Sequence, residues 1–148
     1  MADVFLGIDP GETTGWCLFV DNQLNCFGQI PDSSEGLTRW GMENASLLNL
    51  VTVCVYEDYK IRGNKALAHI GSRVPTIQCI GVVKHWGILG DWKMICQPSS
   101  ILPIAQKWSQ VKIPTSDHSI SHQYVAINHV LYYMIGKDII PSALESEQ

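Results

Sequence analysis

A chain of 148 residues, 46% hydrophobic and 16% charged, is one domain's worth of material, too apolar for a disordered segment and without the composition of a fibre. The net charge of −4 looks unfavourable for a nucleic-acid partner until it is divided along the chain: residues 1–58 carry −8, residues 59–116 carry +7 and residues 117–148 carry −3. Five scattered cysteines without a Cys-x-x-Cys pair argue against a disulfide framework or a zinc knuckle, while Met1-Ala2-Asp3-Val4 lacks a signal-peptide pattern and no stretch reads as a bilayer span, so a cytoplasmic protein is expected.

Val4 to Asp9 is an apolar run ending in an acid and predicts a buried first strand, turned by Pro10-Gly11. Gly15 to Val20 predicts a second strand, and Asp21-Asn22 a tight turn into a third, Leu24 to Gln29. Asp32-Ser33-Ser34-Glu35 has the spacing of a capping box and opens a helix to about Leu48. Leu50 to Glu57 is rich in β-branched residues, as a central buried strand is, and again ends in an acid. Ile61 to Ala68, with Gly63-Asn64 inside it, reads as a loop, and Pro75 suits the first turn of a helix with its body over Thr76 to Gly87. Trp92 to Cys96 predicts a fifth strand. Pro98 opens a short helix expected to break near Pro103, and Lys107 to Ser116 reads as an irregular loop. Ser119 to Ile135 is the best amphipathic helix, and the tail is expected to fray from about residue 137. Without an internal repeat or a long linker, residues 1–148 read as a single domain.

Two features carry chemistry. Asp9 and Glu57 each end a buried strand, and a carboxylate at the carboxyl end of a central strand points into the crevice where open α/β sheets bind ligands. Two such acids on neighbouring strands make a hard oxygen site for Mg²⁺, and paired divalent ions about 4 Å apart suit phosphodiester hydrolysis. Taken singly, each acid is better explained by a turn or a strand end; together, in this order of hairpin, helix and strand, they favour a site. The second feature is the cluster Lys60, Arg62, Lys65 and Arg73 immediately after Glu57. It is either a DNA-binding surface, which an acidic site needs if it is not to repel phosphate, or a solvated face.

Gly7-Ile8-Asp9-Pro10-Gly11 followed by Thr14-Gly15-Trp16 resembles the opening motif of the RuvC-type Holliday junction resolvases. Val55-Tyr56-Glu57-Asp58-Tyr59 resembles their second acidic motif, and His122 to Tyr133 the helix that supplies their last ligands. The chain is most similar to the compact resolvase-like proteins of bacteriophages. The resemblance implies an α/β, RNase H-like fold: a five-stranded mixed sheet, strands 1–3 antiparallel and strands 4 and 5 parallel to strand 1, with helices on both faces. It further implies a homodimer, Mg²⁺ or Mn²⁺ as cofactor, and a structure-selective endonuclease that nicks branched DNA such as four-way junctions. Asp9 and Glu57 match the first two metal-binding acids. His122 matches a position three before the last acid, and is expected to be a ligand or an acid–base group.

The last acid itself should stand where this chain has Val125, and valine neither binds a metal nor orients water. Asp117 shares a helical face with position 125 if the helix begins there, as a substitute ligand or, preferably, an N-cap. His118, His122 and His129 lie on the same stripe, which could hold zinc; for His129, packing near Tyr132 and Tyr133 is the preferred reading. Trp40, Trp86, Trp92 and Trp108 read as core or dimer-contact residues rather than base-stacking platforms. The competing function is a junction-binding protein that keeps the resolvase fold and has lost activity with its fourth ligand. An ATP-using protein of the actin-like class would need a second, duplicated domain for which 148 residues leave no room.

Overall fold

The computed structural model describes residues 2–59, 74–116 and 119–144. Its centre is a five-stranded sheet in the order β3-β2-β1-β4-β5. β1 (Val4–Asp9), β2 (Thr14–Val20) and β3 (Gln23–Ile30) are antiparallel neighbours, and β4 (Val53–Glu57) and β5 (Lys93–Gln97) run parallel to β1. The β2–β3 hairpin turns on Asp21 and Asn22, both at positive φ (53° and 62°), the conformation a two-residue turn needs to match strand twist.

Five α-helices are found among the described residues: α1 (Ser33–Glu43), α2 (Ala45–Leu48), α3 (Pro75–Gly90), α4 (Leu102–Ser109) and α5 (Ser121–Gly136). Successive strand residues point to opposite faces, so each strand feeds two cores. Leu6, Ile8, Cys54 and Tyr56 pack with Leu37 of α1 and Cys79 and Val83 of α3. On that face Trp16, Trp40 and Trp86 form a row with ring centroids 5.0 and 6.1 Å apart, and Trp92 is buried beside them. Phe5, Val53 and Val55 pack on the other face against Ala126, Ile127, Val130 and Met134 of α5. All five cysteines are free thiols. No helix among the described residues is long and apolar enough to cross a membrane.

Several local expectations are corrected. The capping box does not form: Asp32 sits at φ 70° and its side chain caps nothing, while the Ser33 amide donates to the Glu12 carbonyl (2.9 Å). The helix it opens is interrupted at Asn44, whose amide side chain donates to the Trp40 carbonyl (2.8 Å) and so ends α1. Pro98 does open a short 3-10 helix, Ser99–Ile101, but Pro103 then stands in the first turn of α4, where a proline gives up no hydrogen bond. After α5 the described chain keeps contacts with the domain. The Ile139 amide donates to Met134 (2.8 Å), Ala143 to Trp108 (2.9 Å), and Ile140 joins the α5-side core.

Candidate active site

The period-2 alternation that builds the cores also builds the site. On β1 the residues facing α5 are Phe5, Gly7 and Asp9; on β4 they are Val53, Val55 and Glu57; on β5 they are Lys93, Ile95 and Gln97. Each strand is apolar in its middle and ends in a polar side chain on the same face. Glu57 pairs in register with Gln97, and Asp9 stands one step past the Ile8–Tyr56 pair. Three polar side chains therefore lie abreast at the carboxyl ends of three adjacent parallel strands, where open α/β sheets bind ligands.

α5 crosses over them, and three contacts fix its path. A Cβ on Gly15 would stand 2.0 Å from the His122 carbonyl carbon and oxygen, and one on Gly7 would stand 2.8 Å from the Ala126 oxygen. Only glycine at these positions allows the helix backbone to come so close to the sheet. At its start, the Gln29 carboxamide of β3 holds both ends of one turn, accepting from the His122 amide (3.1 Å) and donating to the Ser119 carbonyl.

On this helix His122 and His129, two turns apart, reach one acid each. His122 Nδ1 lies 2.9 Å from Asp9 Oδ2 and His129 Nε2 lies 3.3 Å from Glu57 Oε1. The Asp9 and Glu57 carboxyls are close enough for each to shift the other's titration. Burial raises the Asp9 carboxyl to about 7; the bond to His122 opposes this shift and the neighbouring Glu57 adds to it. Glu57 is also raised by burial, but its bonds with His129 and Asp9 outweigh that and leave it below the ordinary carboxylate range. His122 is raised, first by its bond to Asp9. Burial and the neighbouring acid thus push the Asp9 carboxyl up while Glu57 is pushed down, the divergence expected when two carboxyls are crowded together out of water.

The donor set decides what could be held here. Two facing carboxylates are hard oxygen ligands, suited to a divalent cation that keeps part of its water shell. Among the described residues no three His, Cys, Asp or Glu side chains converge as a closed metal cage, because each imidazole is already turned to its own acid.

Of the residues expected from sequence, Asp9, Glu57 and His122 are brought together. Val125 lies on the face of α5 between the two histidines, one turn from each. Lys60, Arg62, Lys65, Arg73, Asp117 and His118 lie outside the described residues. His129 is fully buried, as a packing residue would be, but it has a further partner that the sequence did not suggest: its ring is bonded to Glu57. Gln97 and Gln29 escaped sequence reasoning. A signal for Gln97 existed: a polar residue ends the fifth strand in the same parity as Asp9 and Glu57 end theirs.

An RNase H-like α/β sheet with acids at the ends of β1 and β4 is the architecture defined by these observations. It is the fold of known junction resolvases. The structure of Thermus thermophilus RuvC in complex with a Holliday junction substrate matches 91% of this chain and 97% of its own, at 15% identity and a TM-score of 0.54. The fowlpox virus Holliday junction resolvase matches 90% of this chain and 99% of its own, at 13% identity and a TM-score of 0.58. At such identities the likeness is one of fold. No family model matches the sequence, and no curated protein does.

Proposed function

We propose that the chain is a structure-selective DNA endonuclease that cuts four-way junctions or related branched DNA by metal-dependent phosphodiester hydrolysis. The observation that carries this reading is the placement of Asp9 and Glu57 side by side at the ends of β1 and β4, with His122 on Asp9, in a fold seen elsewhere on a Holliday junction. Asp9 and Glu57 would hold Mg²⁺ or Mn²⁺, with His122 completing the set. A divalent ion bound there supplies charge stabilisation at the scissile phosphate and a more acidic water. His122, half-exposed and held by Asp9 through Nδ1, offers its other ring nitrogen either to the metal or to a proton. Lys60, Arg62, Lys65 and Arg73 follow Glu57 closely in sequence and would offset the repulsion between the acids and DNA. Two symmetric nicks need two sites, so a homodimer belongs to this reading, and sizing at micromolar concentration should show one.

Val125 favours a second reading. With no acid there and no closed cage among the described residues, the chain would bind junctions without cutting them. Incubating a labelled four-way junction with Mg²⁺ or Mn²⁺ separates the two. The expected outcome is slow cleavage, faster with Mn²⁺, which tolerates a histidine ligand. Asp9→Asn should abolish it, and Val125→Asp should raise it by about a thousandfold, the worth of several kcal/mol of charge stabilisation. Full-speed cleavage unchanged by Val125→Asp would direct attention to Asp117, tested as Asp117→Asn. Binding without cleavage in both chains would establish the junction-binding reading.

A further inference from the structure

Gln97 is a buried polar side chain at the end of β5, remote from any expected motif, and it has a defined task. Its amide nitrogen Nε2 donates to the main-chain oxygen of His129 (2.9 Å). That contact settles which end of the amide faces the helix, since a carbonyl oxygen only accepts. The same nitrogen lies 3.1 Å from His129 Nδ1. An amide nitrogen cannot accept, so Nδ1 must, and the ring proton is left on Nε2, the atom 3.3 Å from Glu57 Oε1. With both ring nitrogens committed and no exposed surface, His129 is itself unavailable as a ligand.

The geometry points to a positioning relay, Gln97 to His129 to Glu57, that fixes one imidazole tautomer and through it holds the Glu57 carboxylate in the orientation needed to bind a divalent cation. This rests on the reading that Glu57 is a metal ligand, but it assigns new roles to Gln97 and His129. Oriented ligands bind better because the protein, not the metal, has already ordered them; losing such a supporting partner typically costs about 10- to 100-fold in metal affinity. The relay is also economical in space. One glutamine reads the main chain and the side chain of the same histidine, so the ring cannot turn without breaking a second bond.

The test begins without DNA. Two-dimensional ¹H–¹⁵N spectra of the metal-free protein should show His129 as the Nε2–H tautomer, and Gln97→Leu should lose that preference while the fold is retained. Mn²⁺ affinity, read by its electron paramagnetic resonance signal, should fall by about 10- to 100-fold in Gln97→Leu and in His129→Leu. His129→Gln, whose amide can still donate to Glu57, should recover most of the loss. A His129 proton on Nδ1 in the unsubstituted chain, or Mn²⁺ affinity unchanged in Gln97→Leu, would overturn the relay. If the relay variants lose Mn²⁺ as expected and no chain cuts a junction, the relay stands and the nuclease reading fails. If the unsubstituted chain cuts junctions and Gln97→Leu does so with the same metal requirement, the relay fails alone.

Discussion

Asp9 is the residue on which the chemistry of the site turns, and its environment makes a prediction that needs no substrate. Its carboxyl stands at about 7 in the folded chain against an ordinary 3.8, raised by burial and by Glu57. Between those two values the folded state holds a proton that the unfolded state has released. Stability of the metal-free protein should therefore fall as pH rises from about 4 to about 7, with little further loss to this group above that. One such group contributes at most about 1.4 kcal/mol per pH unit, and the downward shift of Glu57 offsets part of it. Thermal melts in chelator across this range should show the decline, and Asp9→Asn should flatten it. A melting temperature that climbs steadily over the same window would show that the two acids do not crowd each other.

At the scale of the elements, the distance between α5 and the sheet governs the site. Gly15→Ala should drive the His122 backbone away from β2, because the new Cβ would meet carbonyl atoms that cannot rotate aside. A loss of about 1–3 kcal/mol in denaturant unfolding is expected, and with it the His122–Asp9 bond. Gly81, exposed within α3 with nothing inside 4 Å of a Cβ, is the contrast: Gly81→Ala should stabilise by about 0.5–1 kcal/mol. Equal effects from the two substitutions would refute the close-approach argument. The strands were legible because their alternation and their bounding turns are local, and Asp9 and Glu57 because an acid closing an apolar run is conspicuous in one dimension. His122 needed the resemblance to be found. The roles of His129, Gln97 and Gln29 were not legible, although strand parity marks Gln97. Their partners are set only once β5 lies beside β4 and α5 packs on the sheet with its start against β3, a tertiary fact that helical spacing leaves undetermined. The break at Asn44 was hidden for a related reason, since its side chain competes for a main-chain carbonyl that periodicity treats as already used.

At the scale of the whole molecule, charge is segregated along the chain, with the acids of the site in a −8 segment and eight bases in the next. If residues 60–73 carry the DNA contacts, Arg62→Ala with Lys65→Ala should weaken binding to branched DNA. The log–log salt dependence should then lose about one unit of slope per contact. An unchanged slope would make the segment a solvated face. The separation of partners along the chain has another consequence. Asp9 and His122 are 113 positions apart, and Glu57 and His129 are 72 apart. A ribosome finishes β1 and β4 long before it reaches residues 121–136. Through that interval Phe5, Val53 and Val55 present a bare apolar surface, and the acids have neither imidazole beside them. Translation thus imposes an order on maturation: the nascent chain is sticky and incompetent together, and the arrival of one helix ends both conditions at once.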